Sequence, residues 1–436
     1  MGNKPGISEM KDVLFDKLLE MVVHAYTTVP FYRELLGNRK IDLGQLLPDA
    51  FGELPLVDKS MIIGRETEML SDVYKGYANS KKLSIQRTSG SSGHYLKVYW
   101  DVHDETRSLM GLWYRRKEYF GITPSDKYCY FYTTQYARNR LLEAKDVTVL
   151  SNGKAIGFCK NNMSSQRIDD IYAQMLRFEP KWIMMQPSIA LLLSKRIAMK
   201  NFPPIPSIEY IELTGEYLTD QVRYEIEQAF QCTVANQYGC NEANSIASEC
   251  NNKKMHVHAS SVYVEVLREG KAVPFGEAGD IYITSLNNRA MPFIRYKIGE
   301  RGILYAASEC SCRCKDTILE LINGRECELI STDGGEEITA YVFLKVVEYI
   351  NEKVGNIILQ FQVVQTDINQ FTVKLVIKPS YMGWRETISD LFVDKLEEEA
   401  LKNAKWEFVY REELLPDGET GKLAYFINEY KKKRQE

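Results

Sequence analysis

The chain has 436 residues, of which 44% are hydrophobic and 26% are charged, and its formal net charge is −4. This length exceeds what one ordinary hydrophobic core supports, so we expect at least two domains. The slightly acidic balance gives no electrostatic reason to expect nucleic acid as a partner. No apolar run is long enough to span a membrane, and the first residues carry no apolar secretory core. The 9 cysteines therefore suggest reduced thiols in the cytoplasm.

The first elements along the chain are helical. Apolar residues at helical spacing predict a helix over residues 8–36 that is interrupted at Pro30. The composition of residues 54–59 predicts a connector that ends at a helix cap.

A stretch rich in serine and glycine follows, Thr88-Ser89-Gly90-Ser91-Ser92-Gly93, which we call the Ser/Gly loop. It lies between two β-prone segments, residues 83–87 and 95–100. Glycines let backbone N–H groups converge into an anion-binding nest, and the hydroxyl groups add donors for phosphate oxygens. The same composition is typical of an ordinary turn or linker. The stretch alone therefore leaves two interpretations open, a polyphosphate cradle and a linker.

Strands and helices alternate through the middle of the chain, which predicts an α/β fold with parallel strands. The sequence predicts helices at residues 105–120, 189–198 and 218–230, and strands at residues 128–134, 147–150, 182–185, 208–213 and 233–236. Ligands of such sheets bind at the carboxyl ends of the strands. Two polar motifs, Thr214-Gly215-Glu216 and residues 238–242, follow predicted strands at such ends.

The last part of the chain has a different pattern. Residues 262–267 and 279–285 alternate like antiparallel strands, with a turn predicted at Glu269-Gly270-Lys271. Further on, the sequence predicts a small α+β unit with helices at 340–347 and 387–404 and strands at 357–364 and 371–377. We therefore expect a large N-terminal domain with mixed and parallel sheets, residues 1–325, and a small, mobile α+β domain, residues 326–436.

Six motifs occur in one order, and together they resemble the adenylate-forming enzymes of the acyl-CoA synthetase superfamily. More closely, the chain is similar to the phenylacetate–coenzyme A ligase branch and its relatives in capsular polysaccharide biosynthesis, which residues 24–32 also resemble. The similarity covers nearly the whole chain. The motifs are the Ser/Gly loop, Thr214-Gly215-Glu216, Tyr238-Gly239-Cys240-Asn241-Glu242, residues 292–300, Gly324-Arg325 and Thr420-Gly421-Lys422.

The resemblance implies a ligase that converts a small-molecule carboxylic acid and ATP into an acyl-adenylate and pyrophosphate, with Mg²⁺ on the phosphates. Coenzyme A would then take the acyl group. Two alternatives are an amine or hydroxyl of a sugar precursor as the acceptor, and a non-catalytic relative that binds nucleotide. The oligomeric state is open, with a homodimer among the options.

The resemblance also implies roles for single residues. Lys422 would neutralise charge in the transition state, Glu242 would bind Mg²⁺, and Thr88 would act in the pyrophosphate cradle. The implied acyl pocket comprises Tyr132, Tyr136, Gln186, Cys240 and Asn241. The implied nucleotide-binding residues are Ser89, Gly90, Ser91, Ser92, Gly93, Gly215, Glu216, Gln237, Tyr238, Gly239, Glu300 and Arg325.

Three positions depart from the superfamily pattern. His94 follows the Ser/Gly loop where a lysine is usual, and Glu300 stands where an aspartate is usual. Residues 326–328 are Glu-Cys-Glu, although an aspartate usually follows the Gly-Arg pair closely. These departures motivate the non-catalytic alternative.

Thiols and one imidazole form two short clusters, Cys250 with His256 and Cys310 with Cys312. In a reducing compartment such clusters predict a tetrahedral zinc site, and four protein ligands would make it structural. Some members of the resembled branch carry a structural zinc on a similar pattern. His258 and Cys314 are alternative ligands, and free thiols beside a surface histidine are the alternative without metal.

Overall fold

The computed structural model groups the chain into two compact units, Met1–Pro124 with Ala235–Ile322 and Ser125–Val234 with Asn323–Glu436. It describes residues 12–37, 51–77, 82–87, 96–132, 147–150, 153–159, 165–322, 329–333, 337–355, 357–399, 401–415 and 424–431.

The described α-helices are α1 (Asp12–Thr28), α2 (Pro30–Leu36), α3 (Lys59–Ile62), α4 (Val102–Ser108), α5 (Met110–Phe120), α6 (Ser165–Phe178), α7 (Pro187–Lys200), α8 (Asp220–Phe230), α9 (Tyr341–Val354) and α10 (Arg385–Glu399). The described strands are β1 (Leu83–Arg87), β2 (Lys97–Asp101), β3 (Tyr128–Tyr132), β4 (Val147–Leu150), β5 (Ala155–Cys159), β6 (Trp182–Met185), β7 (Tyr210–Thr214), β8 (Thr233–Cys240), β9 (Asn244–Glu249), β10 (Met255–Val257), β11 (Val262–Arg268), β12 (Lys271–Ala272), β13 (Ala278–Ser285), β14 (Tyr296–Tyr305), β15 (Ile318–Ile322), β16 (Leu329–Ser331), β17 (Glu337–Thr339), β18 (Ile358–Asp367), β19 (Gln370–Ile377), β20 (Lys405–Tyr410) and β21 (Phe426–Asn428).

The sheet of the first unit is antiparallel in the order β12-β11-β13-β14-β15-β10-β9-β8. Val262 pairs with Ser285 across β11 and β13, which confirms the predicted antiparallel pair. The predicted turn is also confirmed, because Glu269 and Gly270 both have left-handed φ angles, +51° and +76°. The hairpin β1–β2 is a separate two-stranded sheet.

Helices α1 and α2 pack in the hydrophobic core of this unit. Pro30 begins α2 and so separates it from α1, as its missing N–H group predicts. The predicted cap is confirmed at Asp58, whose Oδ1 accepts hydrogen bonds from the backbone N–H groups of Ser60 (2.8 Å) and Met61 (3.2 Å) at the start of α3.

The second unit contains a parallel sheet in the order β7-β6-β3-β5, with β4 added antiparallel to β5. Helices α6, α7 and α8 contribute to its core. Later in the chain, the sheet β20-β19-β18-β21 shares a core with α9 and α10. The predicted mixed α/β class with a small α+β unit is thus confirmed.

Several boundaries differ from the prediction. The helix predicted over residues 105–120 is divided at Leu109 into α4 and α5. At this point the backbone carbonyl of Ser108 accepts a hydrogen bond from the Ser261 hydroxyl (3.0 Å), a partner 153 residues away. β8 extends to Cys240, and α10 ends at Glu399. No helix among the described residues combines the length and apolar character needed to cross a membrane.

A buried ion pair joins β11 to Arg295, the residue just before β14. The Arg295 Nη2 lies 3.0 Å from Oε1 of Glu265, and the two side chains are only 3% and 8% exposed. The Arg295 Nη1 donates to the backbone carbonyls of Gly52 (2.6 Å) and Leu54 (2.7 Å). One guanidinium therefore connects β11 to the segment that leads into α3.

We predict that Arg295→Leu lowers the free energy of unfolding by about 3–5 kcal/mol, because it leaves the buried Glu265 carboxylate without its partner. Arg268→Leu is the control, since Arg268 pairs with Glu277 at 3.2 Å while both side chains are about half exposed. It should cost under about 1 kcal/mol. Urea unfolding measures both, and equal losses would contradict the special role of Arg295.

Candidate functional site

Glu242 lies on the tight connection between β8 and β9. Gly239 is required there, because a Cβ atom would overlap the carbonyl oxygen of Asn244. The indole N–H of Trp100 donates to the carbonyl of Asn241 (2.8 Å), which fixes the connection from the side of β2. The predicted residues Gly239, Asn241 and Glu242 are therefore presented by a rigid turn.

The Glu242 carboxylate is buried, with the residue 6% exposed. Its Oε1 accepts a hydrogen bond from the hydroxyl of Tyr296 (2.9 Å). Burial raises the pKa of Glu242, while hydrogen bonds from Tyr296 and the Cys240 thiol and the charge of Lys59 oppose that rise. Among the described residues, no lysine or arginine forms an ion pair with it. A buried carboxylate oxygen is a fitting ligand for a hard divalent cation.

Strand β1 leads directly into the Ser/Gly loop, and its last residues contact the turn after Glu242. The Gln86 amide donates to Oε1 of Glu105 (2.7 Å) and lies 3.4 Å from Oδ1 of Asn244. The Asn244 amide in turn donates to the hydroxyl of Ser108 (2.7 Å). The strand entering the Ser/Gly loop and the turn carrying Glu242 thus belong to one hydrogen-bonded network.

Some predicted residues lie outside the described part of the chain. They are the Ser/Gly loop itself (Thr88, Ser89, Gly90, Ser91, Ser92 and Gly93), His94, Tyr136, Arg325 and Lys422.

In the second unit, Gly215 and Glu216 follow the carboxyl end of β7. Gly215 has a left-handed φ of +85°, which accounts for glycine at this position. The Glu216 carboxylate accepts two hydrogen bonds from Ser188, one from its backbone N–H and one from its hydroxyl, both at 2.9 Å. Glu216 therefore caps the start of α7. Gln186, next to that start, has its Cγ 3.8 Å from where a Cβ of Gly215 would lie.

The other predicted residues have the following positions. The Gln237 amide donates to the carbonyl of Tyr238 and to the hydroxyl of Ser245, both at 3.0 Å. Tyr238 is 9% exposed and packs in the core of the first unit. Glu300 lies on β14, half-buried. The Tyr132 hydroxyl lies 2.8 Å from that of Thr148, in the second unit.

The four predicted metal-binding residues meet in the first unit, with ligand atoms that all lie within 4.8 Å of one another. The Cys250 and Cys310 sulfurs are 3.7 Å apart, and the Cys312 sulfur is 3.2 Å from Nε2 of His256. Two sulfurs bonded tetrahedrally to one zinc ion at about 2.3 Å would be about 3.8 Å apart. The donor set and its spacing therefore fit zinc.

Backbone donors favour the thiolate form of these cysteines. The N–H groups of Asn252, Cys312 and Cys314 each point to a sulfur two residues earlier, at 3.4–3.5 Å. Burial alone would raise the pKa of Cys310, but the Cys312 N–H and the His256 ring lower it to about 6. Burial leaves the pKa of Cys312 raised, so the thiolate form is favoured at Cys310 and not at Cys312.

Helix α5 supports this cluster with two side chains one turn apart. The buried Arg115 donates to the carbonyls of His256 and Val257 and to Oδ2 of Asp316 (2.8 Å). The Asp316 carbonyl lies 2.9 Å from Nδ1 of His256. Because a carbonyl only accepts, this contact places the proton on Nδ1 and leaves Nε2 facing Cys312. The Tyr119 hydroxyl lies 3.7 Å from the Cys312 sulfur.

Sequence reasoning did not identify Tyr296, Arg115 or Tyr119 as parts of these sites. Tyr296 lies inside the motif at residues 292–300, so the motif itself was the available signal. Nothing local distinguishes Arg115 or Tyr119, because their partners are more than 100 residues away.

Comparison with known proteins identifies a matching family model and several relatives. The family model described as the CapK C-terminal domain matches residues 329–429. Protein CapK of Staphylococcus aureus is 22% identical over 423 residues, which cover 92% of this chain and 85% of the relative. The phenylacetate-coenzyme A ligase of Thermus thermophilus is 25% identical over 334 residues, which cover 73% of this chain and 71% of the relative.

Solved structures share the fold. A 2-hydroxyisobutyryl-CoA ligase in the postadenylation state superposes with a TM-score of 0.75 at 17% identity, covering 99% of this chain and 92% of the other. The chain therefore shares the fold of this CoA ligase. Its relatives are CapK and phenylacetate-coenzyme A ligases, so the resemblance inferred from the six motifs is confirmed.

We predict that Glu216→Ala costs about 1 kcal/mol of stability without any ligand, because α7 loses the cap on Ser188. Glu209→Ala is the control, since the Glu209 side chain is 63% exposed and lies 3.8 Å from Lys181. It should change stability by less than about 0.5 kcal/mol. Thermal unfolding compares the stabilities of the two variants. Equal stability of Glu216→Ala and Glu209→Ala would exclude the capping role.

Proposed function

We propose that the protein activates a small carboxylic acid with ATP to form an acyl-adenylate and pyrophosphate, and then transfers the acyl group to coenzyme A. The observation that carries this proposal is the buried Glu242 carboxylate, fixed on a turn that is hydrogen-bonded to the strand entering the Ser/Gly loop. The activity that the phenylacetate-coenzyme A ligase relatives are named for supports the same reaction.

In this proposal, Glu242 and the Ser/Gly loop bind the triphosphate end of ATP. Glu242 would bind Mg²⁺, which neutralises phosphate charge when present. Thr88 to Gly93 would surround the departing pyrophosphate with hydroxyl and backbone donors. Because His94 stands where a lysine is usual, the loop lacks a cation of its own at that position, and positive charge must come from elsewhere.

Lys422 is the residue we propose for that charge. It would reach the carboxylate and α-phosphate oxygens from a small C-terminal domain that begins near residue 326, with Arg325 on phosphate or ribose. Glu300 would accept the ribose hydroxyls, and Gly215 and Tyr238 would border the adenine. Tyr132, Tyr136, Gln186, Cys240 and Asn241 would form the acyl pocket.

The acceptor is the least constrained part of the proposal. Coenzyme A is favoured because the phenylacetate-coenzyme A ligase relatives and the structural neighbour are named as CoA ligases. An amine or hydroxyl of a sugar precursor is the second acceptor class. To distinguish the two acceptor classes, the enzyme carrying the acyl-adenylate is offered coenzyme A, an amino sugar and a neutral sugar. Mass spectrometry then identifies the acyl product.

We further propose that Cys250, His256, Cys310 and Cys312 bind a structural zinc ion. Four protein donors close the coordination sphere, so the ion would have no position for substrate. Its role would be to connect β10 with the loop after β14.

The central test is ATP–pyrophosphate exchange with a panel of aliphatic and aryl acids. Wild type should show acid-dependent exchange, and Lys422→Ala should lower it by about 10²–10³-fold, because a cation aimed at developing charge is lost. Lys402→Ala is the matched control, an exposed lysine of the same region, and should retain wild-type exchange. If no acid stimulates exchange, the ligase proposal fails.

The zinc proposal is tested by metal analysis of the purified protein. Wild type and Cys314→Ser should contain about one zinc ion per chain, whereas Cys312→Ser should lose most of it because a ligand is removed. A chelator should lower the unfolding temperature of wild type and of Cys314→Ser, but not that of Cys312→Ser. Zinc in Cys312→Ser but not in Cys314→Ser would reassign the ligand, and zinc-free wild type would refute the site.

A further inference from the structure

Tyr296 is the nearest described polar group to the Glu242 carboxylate that has no role in the proposed reaction so far. Its hydroxyl donates to Oε1 of Glu242 over 2.9 Å, and Tyr296 and Glu242 are 2% and 6% exposed. The carboxylate is largely shielded from water, and its other hydrogen-bond donors are its own backbone N–H and the Cys240 thiol. The contact therefore restricts the direction in which the Glu242 carboxylate points.

The ring of Tyr296 has little freedom. It packs edge-on against Phe293, with ring centroids 5.0 Å apart and an interplanar angle of 64°. Its backbone is fixed on both sides by Val57, whose N–H donates to the carbonyl of Arg295 (3.1 Å) and whose carbonyl accepts from the N–H of Lys297 (2.8 Å). The hydroxyl is therefore a stationary donor.

The buried ion pair contributes to the same arrangement. Arg295 precedes Tyr296 and binds Glu265, Gly52 and Leu54 with its guanidinium. It has a left-handed φ of +46°, a conformation that a non-glycine residue keeps only when its surroundings impose it. The buried position of Arg295 thus places the side chain of Tyr296 against Glu242.

We propose that Tyr296 is a positioning residue for the divalent cation that accompanies ATP: its hydroxyl keeps the Glu242 carboxylate oriented toward the cation. This inference rests on the proposed binding of Mg·ATP at Glu242. Hydrogen bonds to a ligating carboxylate restrict its rotation and favour its charged form, and removing such partners typically weakens metal binding 10–100-fold.

The chain offers a matched control for removal of this hydroxyl. Tyr32 is also fully buried, and its hydroxyl contacts the backbone of the same segment, the carbonyl of Pro292 (3.2 Å) and the N–H of Ile294 (2.9 Å). The Tyr32 hydroxyl has no hydrogen bond to Glu242. Tyr296→Phe and Tyr32→Phe therefore remove the same atom from equally buried sites, and only the first touches Glu242.

The test titrates Mg²⁺ into protein with saturating ATP and follows the rise in unfolding temperature, a readout that requires no acid. Tyr296→Phe should need about 10–100-fold more Mg²⁺ for half of the rise. Tyr32→Phe should unfold at a lower temperature throughout, with the wild-type Mg²⁺ midpoint. An unchanged midpoint in Tyr296→Phe, or the same shift in both variants, would overturn the positioning role.

Glu242→Gln and the double variant decide whether Tyr296 acts through Glu242. Glu242→Gln should also raise the midpoint, and adding Tyr296→Phe should raise it little further, since both changes remove the same interaction. Fully additive shifts would overturn the inference.

The inference and the proposed function can fail separately. If Mg²⁺ raises the unfolding temperature but no acid stimulates ATP–pyrophosphate exchange, the ligase proposal is contradicted and the positioning role is retained. A wild type that shows no Mg²⁺-dependent rise would overturn the positioning role.

Discussion

The buried pair of Arg295 and Glu265 is the interaction on which the arrangement of the first unit depends. A buried ion pair often contributes little net stability, because removing both charges from water is costly. Its effect here is geometric. One guanidinium joins β11 to the backbone of Gly52 and Leu54, so the segment that enters α3 can pair with the start of β14. Tyr296, at that start, then meets Glu242, which is 54 residues away in sequence.

The same unit holds two groups of side chains whose donor atoms have opposite chemical character. Glu242 offers a carboxylate oxygen, which suits hard cations such as Mg²⁺. The cysteine–histidine cluster offers three sulfurs and a nitrogen, which suit zinc. Each group is prepared by neighbours that are not ligands, a tyrosine hydroxyl in one case and backbone N–H groups with Arg115 in the other. The ligands alone therefore do not determine either site.

Much of the fold could be predicted because its signals are local. The left-handed turn at Glu269 and Gly270, the break at Pro30 and the cap at Asp58 all follow from the conformational limits of single residues. The cysteine cluster was predictable from ligand spacing, because its ligands form two short motifs in the sequence. The fold then needs only to bring these two motifs together. Nothing local predicts the division of the predicted helix at Leu109, where the Ser108 carbonyl accepts a hydrogen bond from the Ser261 hydroxyl, 153 residues away. Tyr296 and Arg115 likewise act over distances that no periodicity reveals.

Glu216 illustrates why a motif does not by itself assign a role. In the sequence it belongs to Thr-Gly-Glu at the carboxyl end of a parallel strand, where a nucleotide contact is expected. In the structure both of its carboxylate oxygens accept from Ser188, and so it fixes the beginning of α7. Gln186 precedes that helix and Gly215 precedes Glu216 in the chain, so both lie next to this contact. A residue can therefore recur in a binding motif because it holds its neighbours in place, which is also the relation between Tyr296 and Glu242.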